Sequence, residues 1–205
     1  MNDPIEESFK APEVWRGGFY ELLIVPHIGS SEQVCSLLSA IWSFPSLDGC
    51  YLRNDYAPSA QSRCNPCGNE HEGHLYGMAT LPNSCRVACG SYAMDYSGES
   101  DSSSAHWVGF YIPLGALSHI YAVGAYPFGP MNGVPEWRMP IDEFLRALAD
   151  WTFQRVQFDL GTIGFEIGGE VTAEEIRANG VPNQRPNGIL WNEDCTLKWF
   201  GPNLP

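Results

Sequence analysis

Apolar residues fall along the 205-residue chain in two kinds of run, and the spacing within each run assigns an element. From Phe19 to Ile28 almost every position is aromatic, β-branched or leucine, broken only by Glu21, Pro26 and His27. That pattern predicts a strand buried on both faces, with Pro26 at its end or edge. Ser30 followed by Gln33 then reads as a capping box, and Val34, Leu37, Leu38, Ile41 and Trp42 recur at helical spacing until Phe44-Pro45 stops the helix. Runs of strand character return at Leu75–Leu81, Cys85–Tyr96 and His106–Ile112, the last two joined by a polar tip from Ser97 to Ser104. These predict an antiparallel meander. Frequent Pro and Gly between Pro113 and Pro135 leave room for one short strand near His119–Val123.

A second long helix is expected from Pro140, with Asp142 and Glu143 in its first turn and Ile141, Phe144, Leu145, Leu148 and Thr152 as its buried stripe. Thr162–Ile167 reads as a strand, and Thr172 with Glu175 as a capping box opening a short helix that stops near Gly180. Gly188–Trp191 and Thr196–Phe200 read as a hairpin whose loop is the four residues Asn192 to Cys195. Together these predict one α+β domain over residues 16–205, an antiparallel sheet packed by two longer helices and one short one. Residues 1–15, polar and aperiodic, read as a flexible arm. Residues 53–73 form an aperiodic loop longer than a compact domain ordinarily holds, which suggests a functional, disordered or metal-clipped segment.

Composition narrows the function. Hydrophobic residues make up 44% of the chain and charged residues 17%, enough apolar content to exclude a disordered polymer. The 24 acidic and 11 basic residues leave −13, which argues against nucleic acid or an anionic membrane as partner, because both demand a Lys/Arg footprint. The first residues are acidic and lead into no apolar run, so no export signal is read, and no stretch approaches the ~18 apolar residues of a membrane span. Seven cysteines, an odd number on a chain with a core of its own, point to a reducing cytoplasm, not to a disulfide framework.

Three constellations carry candidate chemistry. Cys64, Cys67, His71 and His74, at spacing C-x2-C-x3-H-x2-H inside the long loop, have the residue types of a structural zinc site, although a zinc finger separates its pairs by about twelve residues. No other cofactor is indicated. Cys89, with His106 or His119, has the types of a thiol nucleophile and its base. Cys85 and Cys89, four apart on one strand, lie too far from each other to share a metal or a disulfide. No HExxH, G-x-S-x-G or P-loop occurs, and Gly161 to Gly168 lacks dinucleotide spacing. Carboxylates flanked by aromatics remain: Asp95, Tyr96, Glu99 and Asp101 around the polar tip, and Trp191, Glu193 and Asp194 on the terminal hairpin. Aromatic anchors and an acidic field are the materials of a protein interface.

As a short, acidic, aromatic-rich α+β chain without a catalytic motif, the sequence resembles in type the immunity proteins of bacterial polymorphic-toxin and contact-delivered toxin systems. That resemblance implies a cytoplasmic protein that binds and neutralises a cognate toxin; the negative charge and the acidic and aromatic residues just named suit a basic partner. A different reading is an enzyme built on Cys89 with His106 or His119. A third is a zinc-stabilised interaction module built on the loop.

Overall fold

Phe19–Pro26, the strand expected to be buried on both faces, is the centre of an eight-stranded antiparallel sheet. The computed structural model describes residues 8–68, 73–96, 105–124, 135–168 and 171–204. In chain order the strands are β1 (Phe19–Pro26), β2 (Leu47–Tyr51), β3 (His74–Thr80), β4 (Arg86–Tyr96), β5 (Ala105–Pro113), β6 (Phe158–Phe165), β7 (Gly188–Glu193) and β8 (Thr196–Phe200). Across the sheet they run β2-β3-β4-β5-β1-β6-β7-β8, with β1 paired antiparallel to both β5 and β6. The helices are α1 (Ser31–Trp42), α2 (Leu114–Ser118), α3 (Arg138–Phe153) and α4 (Ala173–Asn179). The α+β class, the meander and the terminal hairpin are as the periodicity predicts.

Alternation along β1 sorts the side chains between two layers. Tyr20, Leu22 and Ile24 face α1 and α3, where they meet Leu37, Leu38, Ile41, Ile141, Leu145 and Leu148 in one core with Val108, Phe110 and Ile112 of β5. Trp42 closes this layer. Its indole lies over Gly77 and Gly49, where a Cβ would come within 2.5 and 2.9 Å of the ring, and its N–H donates to Ser91 Oγ at 2.9 Å. Among the described residues, the opposite face is covered at its two sides. On one side Trp15 of a 3-10 turn (Pro12–Trp15) packs edge-on to Tyr76, and Phe9 packs on Tyr51; on the other α4 sets Ala173 and Ile176 against Leu160 and Ile189.

Four expectations are corrected. The arm expected over residues 1–15 is packed from residue 8 onward, because Phe9, wholly buried, and Val14 are apolar anchors inside the segment; residues 1–7 lie outside the described ones. No strand forms at His119–Val123: β5 runs directly into α2, and Leu117 O accepts from the Ile120 and Tyr121 amides to close that turn. The terminal hairpin has a two-residue turn, not a four-residue loop, since Asp194 and Cys195 both take positive φ (51° and 59°) and let Glu193 pair with Thr196. Finally, residues 52–68 are tied to the rest of the fold. A Cys35–Cys67 disulfide fixes them to α1, and Asp48 accepts from Arg63 at 2.5 Å and Arg86 at 3.2 Å.

The helix-side core contains a buried polar cluster of Tyr20, Arg138 and Asp142. Tyr20 Oη donates to Asp142 Oδ1 at 2.5 Å and accepts from Arg138 Nε at 2.9 Å. Burial pushes the Asp142 carboxyl up to about 6, against the pull of the Tyr20 hydrogen bond and the Arg138 charge. A carboxyl raised in the folded state holds its proton where the unfolded chain has lost it, so between about pH 4 and pH 6 the native state binds more protons and stability falls as pH rises. A shift of this size corresponds to roughly 2–3 kcal/mol across that window. Urea midpoints measured from pH 4 to 7 should therefore decline for the wild type, and the decline should flatten in Asp142→Asn.

Candidate functional site

Between the two covered sides of the open face lies a cavity of about 360 Å³ over the middle strands. Its floor is Glu21, which alternation turns away from the helices, and its walls are Phe19, His74, Tyr92 and Met94, with Glu166 at the rim. Glu21 is the one charged residue in an otherwise apolar central strand, and it is 4% exposed. Its Oε2 accepts from Tyr92 Oη at 2.6 Å and its Oε1 from the Ile167 amide at 3.0 Å. Burial raises the carboxyl above its ordinary range; the Tyr92 and Ile167 hydrogen bonds hold it down and the Glu166 charge raises it further. His74 Nδ1 shares a hydrogen bond of 2.8 Å with Tyr111 Oη, and burial lowers its pKa, which keeps the imidazole neutral at pH 7.

Two Gly-x-Tyr triplets build the aromatic wall. Gly90-Ser91-Tyr92 on β4 runs antiparallel to Gly109-Phe110-Tyr111 on β5, in a register that sets Gly90 opposite Tyr111 and Tyr92 opposite Gly109. Each tyrosine ring lies flat across the glycine facing it, and a Cβ on either glycine would come within 2.4 Å of the ring. The glycines thus aim both hydroxyls along the sheet, toward Glu21 and His74. Gly109→Ala should push the Tyr92 ring away from Glu21 and cost about 1–3 kcal/mol of stability, the usual range for overpacking. Gly168→Ala, whose Cβ would meet, among the described residues, only Trp107 at an ordinary 3.6 Å, should stay within about 0.5 kcal/mol. Equal urea midpoints for the two variants would contradict this account of the wall.

The residues singled out in the sequence are placed as follows. Alternating strand directions bring the β4–β5 and β7–β8 tips to the same end of the sheet, about 19 Å apart at ~4.8 Å per strand. Asp95 and Tyr96 close β4 there; Glu99 and Asp101 lie outside the described residues. Asp194 is exposed on the turn, and Glu193 is ion-paired with Lys198. Trp191 is half-buried, one part of it packed against the α4 cluster with the Arg177 guanidinium 5.9 Å from its ring.

The three described members of the zinc quartet do not converge. Cys67 is bonded to Cys35, Cys64 faces Cys50 with their sulfurs 3.1 Å apart, His74 is engaged by Tyr111, and His71 lies outside the described residues. Among the described residues no three ligating side chains converge. Cys89 is fully buried with its thiol pushed up by burial, the opposite of an activated nucleophile. It stands opposite the level of Ile112, six residues or ~20 Å along β5 from His106, while His119 is exposed at the end of α2.

Sequence reasoning passed over the cavity because its parts come from β1, β3, β4 and the segment after β6. The signals were present all the same: a carboxylate interrupting the most apolar strand, and the paired Gly-x-Tyr triplets. No helix among the described residues is long and apolar enough to cross a membrane. Compared with known proteins, the chain matches no family model, no curated protein and no solved structure.

Proposed function

We propose that this protein binds and neutralises a basic partner protein, as immunity proteins of bacterial toxin systems do, and that a lysine or arginine of the partner enters the cavity above Glu21. The observation that carries the reading is the convergence of two carboxylates, Glu21 and Glu166, on an aromatic-walled cavity in a chain of net charge −13. A basic side chain suits both parts of the cavity. Its aliphatic stem lies against Phe19 and Met94, and its cationic head meets the faces of Tyr92 and His74 before reaching Glu21. Arrival of the cation opposes the effect of burial on Glu21 and favours its ionised form, so affinity rises with pH through the carboxyl's titration.

The acidic tips at one end of the sheet serve the encounter rather than the lock. Asp95 and Asp194 contribute a field that speeds approach of a basic surface and is screened by salt. The Cys35–Cys67 disulfide bears on where the encounter happens. Such a bond persists in oxidising surroundings, and we read it as favouring these over the cytoplasm that the odd cysteine count suggested.

The test is a tagged pull-down from native lysate at low and high salt, with wild type and Glu21→Gln side by side. A stoichiometric basic protein should be retained by the wild type at low salt and lost, or weakened at least about tenfold, in Glu21→Gln, since truncating one partner of a buried charge pair costs 2 kcal/mol or more. Capture that is equal for both proteins would remove the cavity from the interface. No protein captured by the wild type at either salt would overturn the neutralisation reading.

A further inference from the structure

Outside the cavity, the densest group of reactive side chains is a cluster of thiols beneath the long loop. Cys50, at the end of β2, is 2% exposed, and Cys64 returns to it from the loop. The Cys64 amide donates to Cys50 O at 2.8 Å, so the two backbones run side by side, and the sulfurs stand 3.1 Å apart. A disulfide needs ~2.05 Å between sulfurs, a shift of about 1 Å that side-chain rotation supplies. The pair is nested inside the Cys35–Cys67 loop, whose bond already holds the same segment against α1.

We propose that Cys50 and Cys64 are a second disulfide of this protein, an inner rung that, with Cys35–Cys67, clamps residues 52–68 onto α1 and β2. The oxidant is a small-molecule disulfide of the glutathione class. Cys64, the more exposed of the two, attacks it as thiolate, forming a mixed disulfide and expelling one small thiolate. Cys50 then gives up its proton and attacks Cys64 Sγ, expelling the second. Two protein thiols become one disulfide, one small disulfide becomes two small thiols, and the two protons pass to the expelled thiolates. The clamp holds the loop that leads into Gly73 and His74 at the cavity wall.

The experiment equilibrates the full chain in a mixture of oxidised and reduced glutathione, blocks free thiols with an alkylating reagent under denaturing conditions, and maps linked peptides by mass spectrometry. The expected result is two intramolecular disulfides, Cys35–Cys67 and Cys50–Cys64, with Cys85, Cys89 and Cys195 alkylated. Cys64→Ser should raise the count of alkylated thiols from three to four, with Cys50 newly labelled and the outer bond intact. The proposal is overturned by protein in which Cys35–Cys67 forms while Cys50 and Cys64 both take label, by a Cys50–Cys89 link, or by no disulfide at any oxidant ratio.

Discussion

Leu38→Asp is expected to yield no cooperatively folded protein. Leu38 lies on the buried stripe of α1, 3% exposed and part of the core that α1 and α3 share with the central strands. The substitution removes an apolar side chain from that site, at about 2–5 kcal/mol for a truncated core leucine, and adds a carboxylate with no counter-charge, at several kcal/mol more. Against a total stability of about 5–15 kcal/mol for a domain, the sum leaves little or nothing. Near-ultraviolet circular dichroism and a denaturant titration read the result: no fixed aromatic signal and no sigmoidal transition. Ser36→Asp, two residues away on the exposed face of the same helix, should fold normally. If Leu38→Asp unfolds with a wild-type midpoint, the helix does not lie on the sheet by this face.

Cys35→Ser should lower the unfolding free energy by about 3–4 kcal/mol, the entropic value for opening a loop of some thirty residues in the unfolded chain. Cys67→Ser should give the same loss, and the double variant no more than either single, because all three remove one bond. Reduction of the wild type by a dithiol should produce at least this loss, and reduction of Cys35→Ser only the smaller part that belongs to the proposed Cys50–Cys64 bond. Chemical denaturation under matched oxidising and reducing conditions distinguishes this from a loop held by its side-chain bonds alone. Were the Asp48–Arg63 and Asp48–Arg86 pairs sufficient, reduction would not move the midpoint.

What the sequence made legible were the elements whose periodicity is their own: β1, α1, the β3–β5 meander, α3 and the capped α4. β2 escaped because Leu47-Asp48-Gly49-Cys50-Tyr51 has no alternation to read, and it becomes a strand by pairing with β3, where Gly49 and Gly77 make room for the Trp42 ring. β6 begins at Phe158, four residues before the expected start, since Asp159 breaks the apolar run while its carboxylate turns outward to His27 and Arg177. The disulfide was out of reach for a different reason: Cys35 and Cys67 become neighbours only once the long loop folds back on α1, and no spacing rule encodes that return. The cavity has the same character. Each of its residues looks ordinary in its own segment, and only strand order sets Glu21, Tyr92 and His74 around one space.

The position of β1 constrains how the chain reaches its native state. This strand is the first to leave the ribosome, yet its two neighbours begin at Ala105 and Phe158, so the middle of the sheet cannot close until most of the chain has been made. The β2–β5 meander, with local hairpin contacts, is free to form earlier and offers β5 as a template. Until then Leu22-Leu23-Ile24-Val25 is an unpaired, β-prone apolar segment, the part of a nascent chain most exposed to aggregation. Chains truncated before Phe158 should accumulate as insoluble or chaperone-bound material, because β1 then lacks one edge for good.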